Sequence, residues 1–168
     1  MSRLQSFIRR LSAQVAVLDR ACELVEEIPG PVLEIGLGNG RTYDHLRSRL
    51  QGRDIFAFDR VLAAHPACVP DSQHLILGDL ADTLPMMGKR LRQRAALAHC
   101  DIGSGDVEAT AKLAAWLGPA MMALLAPGAV VAADQPLSAP GLTALPLPPG
   151  VAEGRYFLYS AKSTTTGT

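Results

Sequence analysis

The chain carries no excess of either charge: 16 lysines and arginines balance 16 aspartates and glutamates. A basic stripe of the kind that holds a polyanion is missing, so there is no strong nucleic-acid signature. RNA or DNA as a substrate of small footprint stays open. Cysteine is scarce as well. Cys22, Cys68 and Cys100 stand far apart, make no CxxC pair and show no zinc spacing. Their odd number argues against a disulfide framework and for a reducing compartment. No apolar run is long enough to span a membrane. The N-terminal stretch "MSRLQSFIRRLSAQVAVLDR" is interrupted by charges and lacks the apolar core of a signal peptide. The reading is a cytoplasmic chain with no membrane partner. No pair among His45, His65 and His99 has metal-ligand spacing, and no metal is expected.

What is present suits one domain over residues 1–168. Apolar residues make up 48% of the chain, enough for a hydrophobic core and too many for general disorder. Leu4, Phe7, Ile8, Leu11, Val15, Leu18, Cys22 and Val25 recur at helical spacing, so residues 4–27 read as an N-terminal helical segment that "IPGP" stops within 1–28. That stripe is core packing in the simplest case. It also suits a lid over a ligand or a surface for self-association.

Apolar runs and helical patterns then alternate. Strands are expected at "VLEIG", "DIFAFD", "HLILGD", "AALAHCDIG" and "GAVVAAD". Helices are expected over "TYDHLRSRL", with Thr42 as N-cap, over residues 80–93, and over "DVEATAKLAAWL", broken or restarted at Gly118-Pro119. "LTALPL" and "RYFLYS" bracket a turn-rich stretch and read as a closing antiparallel hairpin. The tail 163–168 reads as frayed. Strand and helix alternation predicts an α/β fold: a three-layer, Rossmann-like sandwich around a mainly parallel seven-stranded sheet.

Ligands of such sheets bind outside the carboxyl ends of the strands. Acids stand there repeatedly: Glu34 near the first end, then Asp59, Asp79, Asp101 and Asp134. Any one of them could simply cap the helix that follows. A row of them along one edge would repel phosphate and accept hydrogen bonds from hydroxyls and amines. The turn after the first strand carries Gly36, Gly38 and Gly40. A dinucleotide loop, G-x-G-x-x-G, requires glycine where Arg41 stands, and a phosphate P-loop requires a terminal G-K-[ST] that is absent. The pattern left is E-x-G-x-G-x-G, with Asp59 placed to reach a ribose from the next strand.

With those motifs in view, "LEIGLGNG" resembles the first motif of class I methyltransferases that use S-adenosyl-L-methionine, and the later motifs follow in the same order over roughly residues 30–135. "GLGNGRTYDHLR" with "DIGSGD" resembles a small bacterial group of methyltransferases without an established substrate. The resemblance implies that Glu34, Gly36, Leu37, Gly38 and Gly40 form the loop against the methionyl part of the cofactor. It implies that Asp59 bonds the ribose hydroxyls, and that Gly78, Asp79 and Leu80 meet the adenine. Asp101 and Ile102 would border the methyl donor and the acceptor. Arg41 and Thr42, with Tyr43, could touch the cofactor carboxylate or the substrate, and Arg60 could pack on the adenine. Surface and capping roles fit these residues equally well.

Asp101 is the first candidate for catalysis, and His99, two residues earlier on the same strand face, the second. A hydrogen-bonded structural role suits His99 better. Asp106 reads as a helix cap, Cys100 as packed, Asp134 as a wall of the substrate pocket, and His45 and His65 as surface or capping residues. The expected activity is methyl transfer from S-adenosyl-L-methionine to a small-molecule acceptor by in-line displacement. The alternatives are a cofactor-binding module without turnover and, less well supported, a nicotinamide enzyme.

Overall fold

The computed structural model describes residues 2–162. Helix α1 (Arg3–Leu24) opens with a capping box, in which the Ser2 hydroxyl accepts from the Gln5 backbone N–H and the Gln5 side chain accepts from that of Ser2. Strand β1 (Val32–Ile35) is buried throughout. Helix α2 (Arg41–Arg49), β2 (Ile55–Asp59), β3 (Leu75–Leu77), α3 (Leu80–Arg90), β4 (Ala95–Cys100), α4 (Val107–Met122) and β5 (Leu125–Ala133) follow, then β6 (Leu142–Ala144) and β7 (Phe157–Ala161).

The strands form one sheet in the order β3-β2-β1-β4-β5-β7-β6. The first five are parallel, and β7 runs antiparallel to both β5 and β6. Leu33, Ile35 and Phe58 face α3 and α4 and pack with Leu84, Met87, Leu117 and Met121. Val32, Leu97 and Leu158 face the opposite way and pack with Val17, Leu18 and Ala21 of α1 and Leu46 of α2. The expected three-layer sandwich is therefore what the chain forms. The order in which successive strands are added reverses between β1 and β4, which opens a crevice at their carboxyl ends.

Several local expectations need correction. No break occurs at Gly118-Pro119: α4 runs through both to Met122. A Cβ on Gly118 would lie 2.5 Å from the Ser138 carbonyl oxygen, so the glycine serves a close backbone approach rather than a helix end. Helix α1 ends at Leu24 and turns through residues 25–27. Val15 does not belong to the buried stripe. It is 46% exposed, while its neighbour Gln14 is buried. Leu4, Phe7 and Ile8 are exposed too, so only the second half of the helix is core. Thr42 is not the cap of α2. Gly40 holds that position at φ 83, and Thr42 lies buried inside the first turn. Of "LTALPL" only Leu142–Ala144 is strand. The tail 163–168 lies outside the described residues.

No helix among the described residues is long and apolar enough to cross a membrane.

Candidate functional site

The crevice holds a cleft of about 620 Å³. Its floor is the glycine turn. The Gly36 N–H donates to the Phe58 carbonyl at 3.0 Å and ties the turn to β2, while a Cβ at Gly36, φ 93, would collide with the Asp101 carbonyl oxygen. Only glycine lets the ends of β1 and β4 approach this closely. Asp59 braces the turn from the next strand. Its Oδ2 accepts from the Gly38 N–H at 2.8 Å and its Oδ1 from the Arg60 N–H at 2.7 Å.

Of the residues expected to hold a ligand, Gly36, Gly38, Arg41, Asp59, Arg60, Gly78, Asp79, Leu80, Asp101 and Ile102 line the cleft. Asp79 also caps α3, accepting from the Ala81 N–H at 2.9 Å, and its second oxygen lies 3.5 Å from the Arg60 guanidinium. Asp79 thus caps α3 and lines the cleft with the same carboxylate.

Glu34, Leu37, Gly40, Thr42 and His99 do not line the cleft. Leu37 is core, and Gly40 packs against Cys68, whose Cβ would be 2.5 Å from a side chain there. Glu34, Thr42 and His99 are buried and bonded to one another. Thr42 Oγ1 donates to Glu34 Oε1, and Glu34 Oε2 lies 2.6 Å from His99 Nδ1. His99 Nε2 shares a hydrogen with the hydroxyl of Tyr156. Burial works against a charge on His99, but Glu34 beside it, with Asp101 and Asp134 further off, outweighs that and raises its pKa above the ordinary value. Burial lifts the Tyr156 phenol well above its usual range, so this hydroxyl keeps its hydrogen. His99 does share a strand face with Asp101: Gln14 bridges Tyr156 and the Asp101 carboxylate.

Asp134 stands one step behind the wall it was expected to form. It accepts from the Ile102 N–H at 3.0 Å and the Gly103 N–H at 2.8 Å, and burial raises its pKa. It thereby sets the loop after β4. Asp106 caps α4 through the Ala109 N–H at 2.9 Å, and His65 accepts from the Ala67 N–H at 3.2 Å. His45 meets Asp19 at 3.0 Å and ties α2 to α1. Cys100 is buried in the opposite core layer. The segment 62–73 does not line the cleft. It braces the glycine turn, with the His65 N–H donating to the Asn39 carbonyl at 3.0 Å.

Arg10, Asn39, Ser104 and Thr110 also line the cleft and were not anticipated. Nothing in the helical pattern of residues 4–27 says which turn overhangs the crevice. Gln14 carried a weak signal: it falls three residues after Leu11 and four before Leu18, on the apolar side. Among the described residues, no cluster of three or more His, Cys, Asp or Glu side chains is placed to hold a metal ion.

A family model for the S-adenosyl-L-methionine methyltransferases matches residues 1–161. The chain belongs to this family. It is also similar to the crystal structure of an S-adenosyl-L-methionine methyltransferase from Silicibacter pomeroyi DSS-3, at 42% identity over 95% of this chain and 98% of that one, with a TM-score of 0.88. Rv0187 from MTB, solved with its cofactor bound, superposes with a TM-score of 0.56 over 94% of this chain and 89% of that one. At 17% identity that likeness speaks to the fold alone. No curated protein matches. The enzyme is thus a methyltransferase and S-adenosyl-L-methionine its cofactor, which sets aside the nicotinamide reading.

The cleft fits that cofactor. Carboxylates from three strand ends (Asp59, Asp79, Asp101) suit hydroxyls and an ammonium, and the backbone at Gly38 is open, with nothing within 4 Å of where a Cβ would stand. Among the described residues, Arg10 and Arg41 have no carboxylate partner and are free to meet one.

Proposed function

We propose that the enzyme methylates a small-molecule acceptor in this cleft by in-line displacement. The observation that carries the reading is the size of the cleft. About 620 Å³ lies within the range of small-molecule sites, and the walls are short loops and the turns of α1 and α4. A balanced net charge supports it, since the chain carries no overall basic excess of the kind that favours a phosphate backbone.

In this reading Asp59 accepts from the ribose hydroxyls, and Gly78, Asp79 and Leu80 border the adenine. Gly36, Gly38 and Arg41 hold the amino-acid end, with the Asp101 carboxylate beside its ammonium. When bound, the cofactor supplies an already activated methyl group. What the chain adds is orientation, together with a base where the acceptor atom carries a proton. Asp101, at the end of β4 and facing the cleft, is the residue placed for that second task. Ile102 and Leu113 give the acceptor an apolar wall.

The test incubates the enzyme with methyl-labelled cofactor and a cell extract divided by size. Label is expected among the small molecules. Label confined to the protein or RNA fraction would contradict the small-molecule reading.

A further inference from the structure

Beneath the cleft runs a continuous line of buried polar side chains drawn from five parts of the sequence. It starts at Thr42, passes through Glu34, His99 and Tyr156, and reaches Gln14, whose Nε2 donates to the Tyr156 oxygen at 3.3 Å and to Asp101 Oδ2 at 3.2 Å. Glu34 and His99 are 0% exposed, Tyr156 1% and Gln14 7%. No buried side-chain nitrogen or oxygen among the described residues lacks a partner. Asp101 is the last member and the only one that lines the cleft.

The direction of the donors follows from the chemistry of the members. An ionised carboxylate only accepts, so Glu34 takes the hydroxyl of Thr42 and the Nδ1 hydrogen of His99. The two amide hydrogens of Gln14 go to Tyr156 and to Asp101. Tyr156 therefore accepts from Gln14 and has its own hydrogen left for His99 Nε2. A glutamine amide can turn over in place at little steric cost, which would set its oxygen against the Asp101 carboxylate. The Asp101 carboxylate decides between the two orientations, because it accepts hydrogen bonds and repels an amide oxygen. Gln14 is also the sole side-chain donor to the Asp101 carboxylate among the described residues.

We propose that Gln14 is a positioning residue for Asp101: fixed by Tyr156 and His99, it holds one carboxylate oxygen so that the other faces the ligand in the cleft. The inference deepens the reading of Asp101 as a ligand-contacting residue and rests on it. It also gives the buried His99 a task that does not require it to reach the cleft.

The test is a double-mutant cycle on S-adenosylhomocysteine affinity, measured by calorimetry alongside thermal melting. Asp101→Asn is expected to weaken binding at least tenfold. Gln14→Leu is expected to weaken it about tenfold, as when a hydrogen bond to a charged group is lost. In the Asp101→Asn background the same Gln14→Leu change should cost less than about twofold. Tyr156→Phe keeps the ring and removes only the anchor, so it should give a smaller loss that likewise vanishes in that background. It serves where Gln14→Leu fails to fold. An undiminished cost of Gln14→Leu or Tyr156→Phe in the Asp101→Asn background would overturn the inference, because Gln14 would then act through the fold. So would full affinity in both single variants while Asp101→Asn is impaired. Full affinity in Asp101→Asn would overturn the reading of Asp101 itself.

Discussion

Glu34 and His99 are register partners on the adjacent strands β1 and β4, and their side chains meet at 2.6 Å with neither exposed to solvent. A carboxylate this deep is tolerable only because every oxygen has a donor. The pair links the two strands whose ends define the cleft, so its loss should be felt in the fold and at the site together. Replacing Glu34 by alanine orphans His99 and Thr42 and is expected to cost about 3–5 kcal/mol in urea denaturation. Glu34→Gln keeps one acceptor oxygen for His99 and offers an amide hydrogen that the Thr42 hydroxyl can accept, so it should cost clearly less. Equal losses for the two variants would argue that the negative charge, not the shape or the hydrogen-bonding capacity of the side chain, is what matters here.

The same pair predicts a pH dependence of stability. The folded pKa of His99 lies above its ordinary 6.5, burial being outweighed by Glu34. A histidine raised on folding contributes stability that is fully present below its unfolded pKa and is lost as pH rises through the folded one. Unfolding free energy should therefore fall as pH rises from about 6.5 through the raised folded pKa, and His99→Gln should remove that part of the slope. An identical slope in His99→Gln would place its origin elsewhere.

Gly36→Ala should damage the floor of the cleft. The new Cβ meets the Asp101 carbonyl oxygen, and φ 93 is unfavourable for any L side chain. The strain alone is about 1–3 kcal/mol, and binding of S-adenosylhomocysteine should drop with the melting temperature. Wild-type binding and melting in this variant would show that the turn relaxes freely.

Gly118→Ala is a sharper case, because helix propensity predicts the opposite sign. Alanine favours a helix interior over glycine by about 1 kcal/mol. Yet the approach of the Ser138 carbonyl oxygen, 2.5 Å from the would-be Cβ, should make the change destabilising in thermal melts. A raised melting temperature would contradict the close-approach account.

That glycine also shows where sequence patterns stop being informative. Gly118-Pro119 reads locally as a helix end, and only the loop after β5, far along the chain, explains why the helix continues. The strands, the glycine turn and the acids at the strand ends were legible because short apolar runs end abruptly in polar residues. The role of Gln14 was not. Its pattern signal is a single polar residue on an apolar helix face, and its partners Tyr156 and Asp101 lie 142 and 87 residues away. Glu34 and Thr42 stand within the motif that resembles a cofactor loop, but they face the interior, and their task is to support the turn from beneath. Arg10 was missed because helical periodicity does not say which exposed turn overhangs the crevice.

The most direct test of the whole account is calorimetric titration of the wild-type enzyme and Asp59→Ala with S-adenosylhomocysteine. Asp59 should contribute a hydrogen-bonding charge worth about 1.5–3 kcal/mol, so the wild type should bind with one site per chain and the variant at least tenfold more weakly. No binding to the wild type, or equal affinity in the two proteins, would contradict the assignment of this cleft to the cofactor.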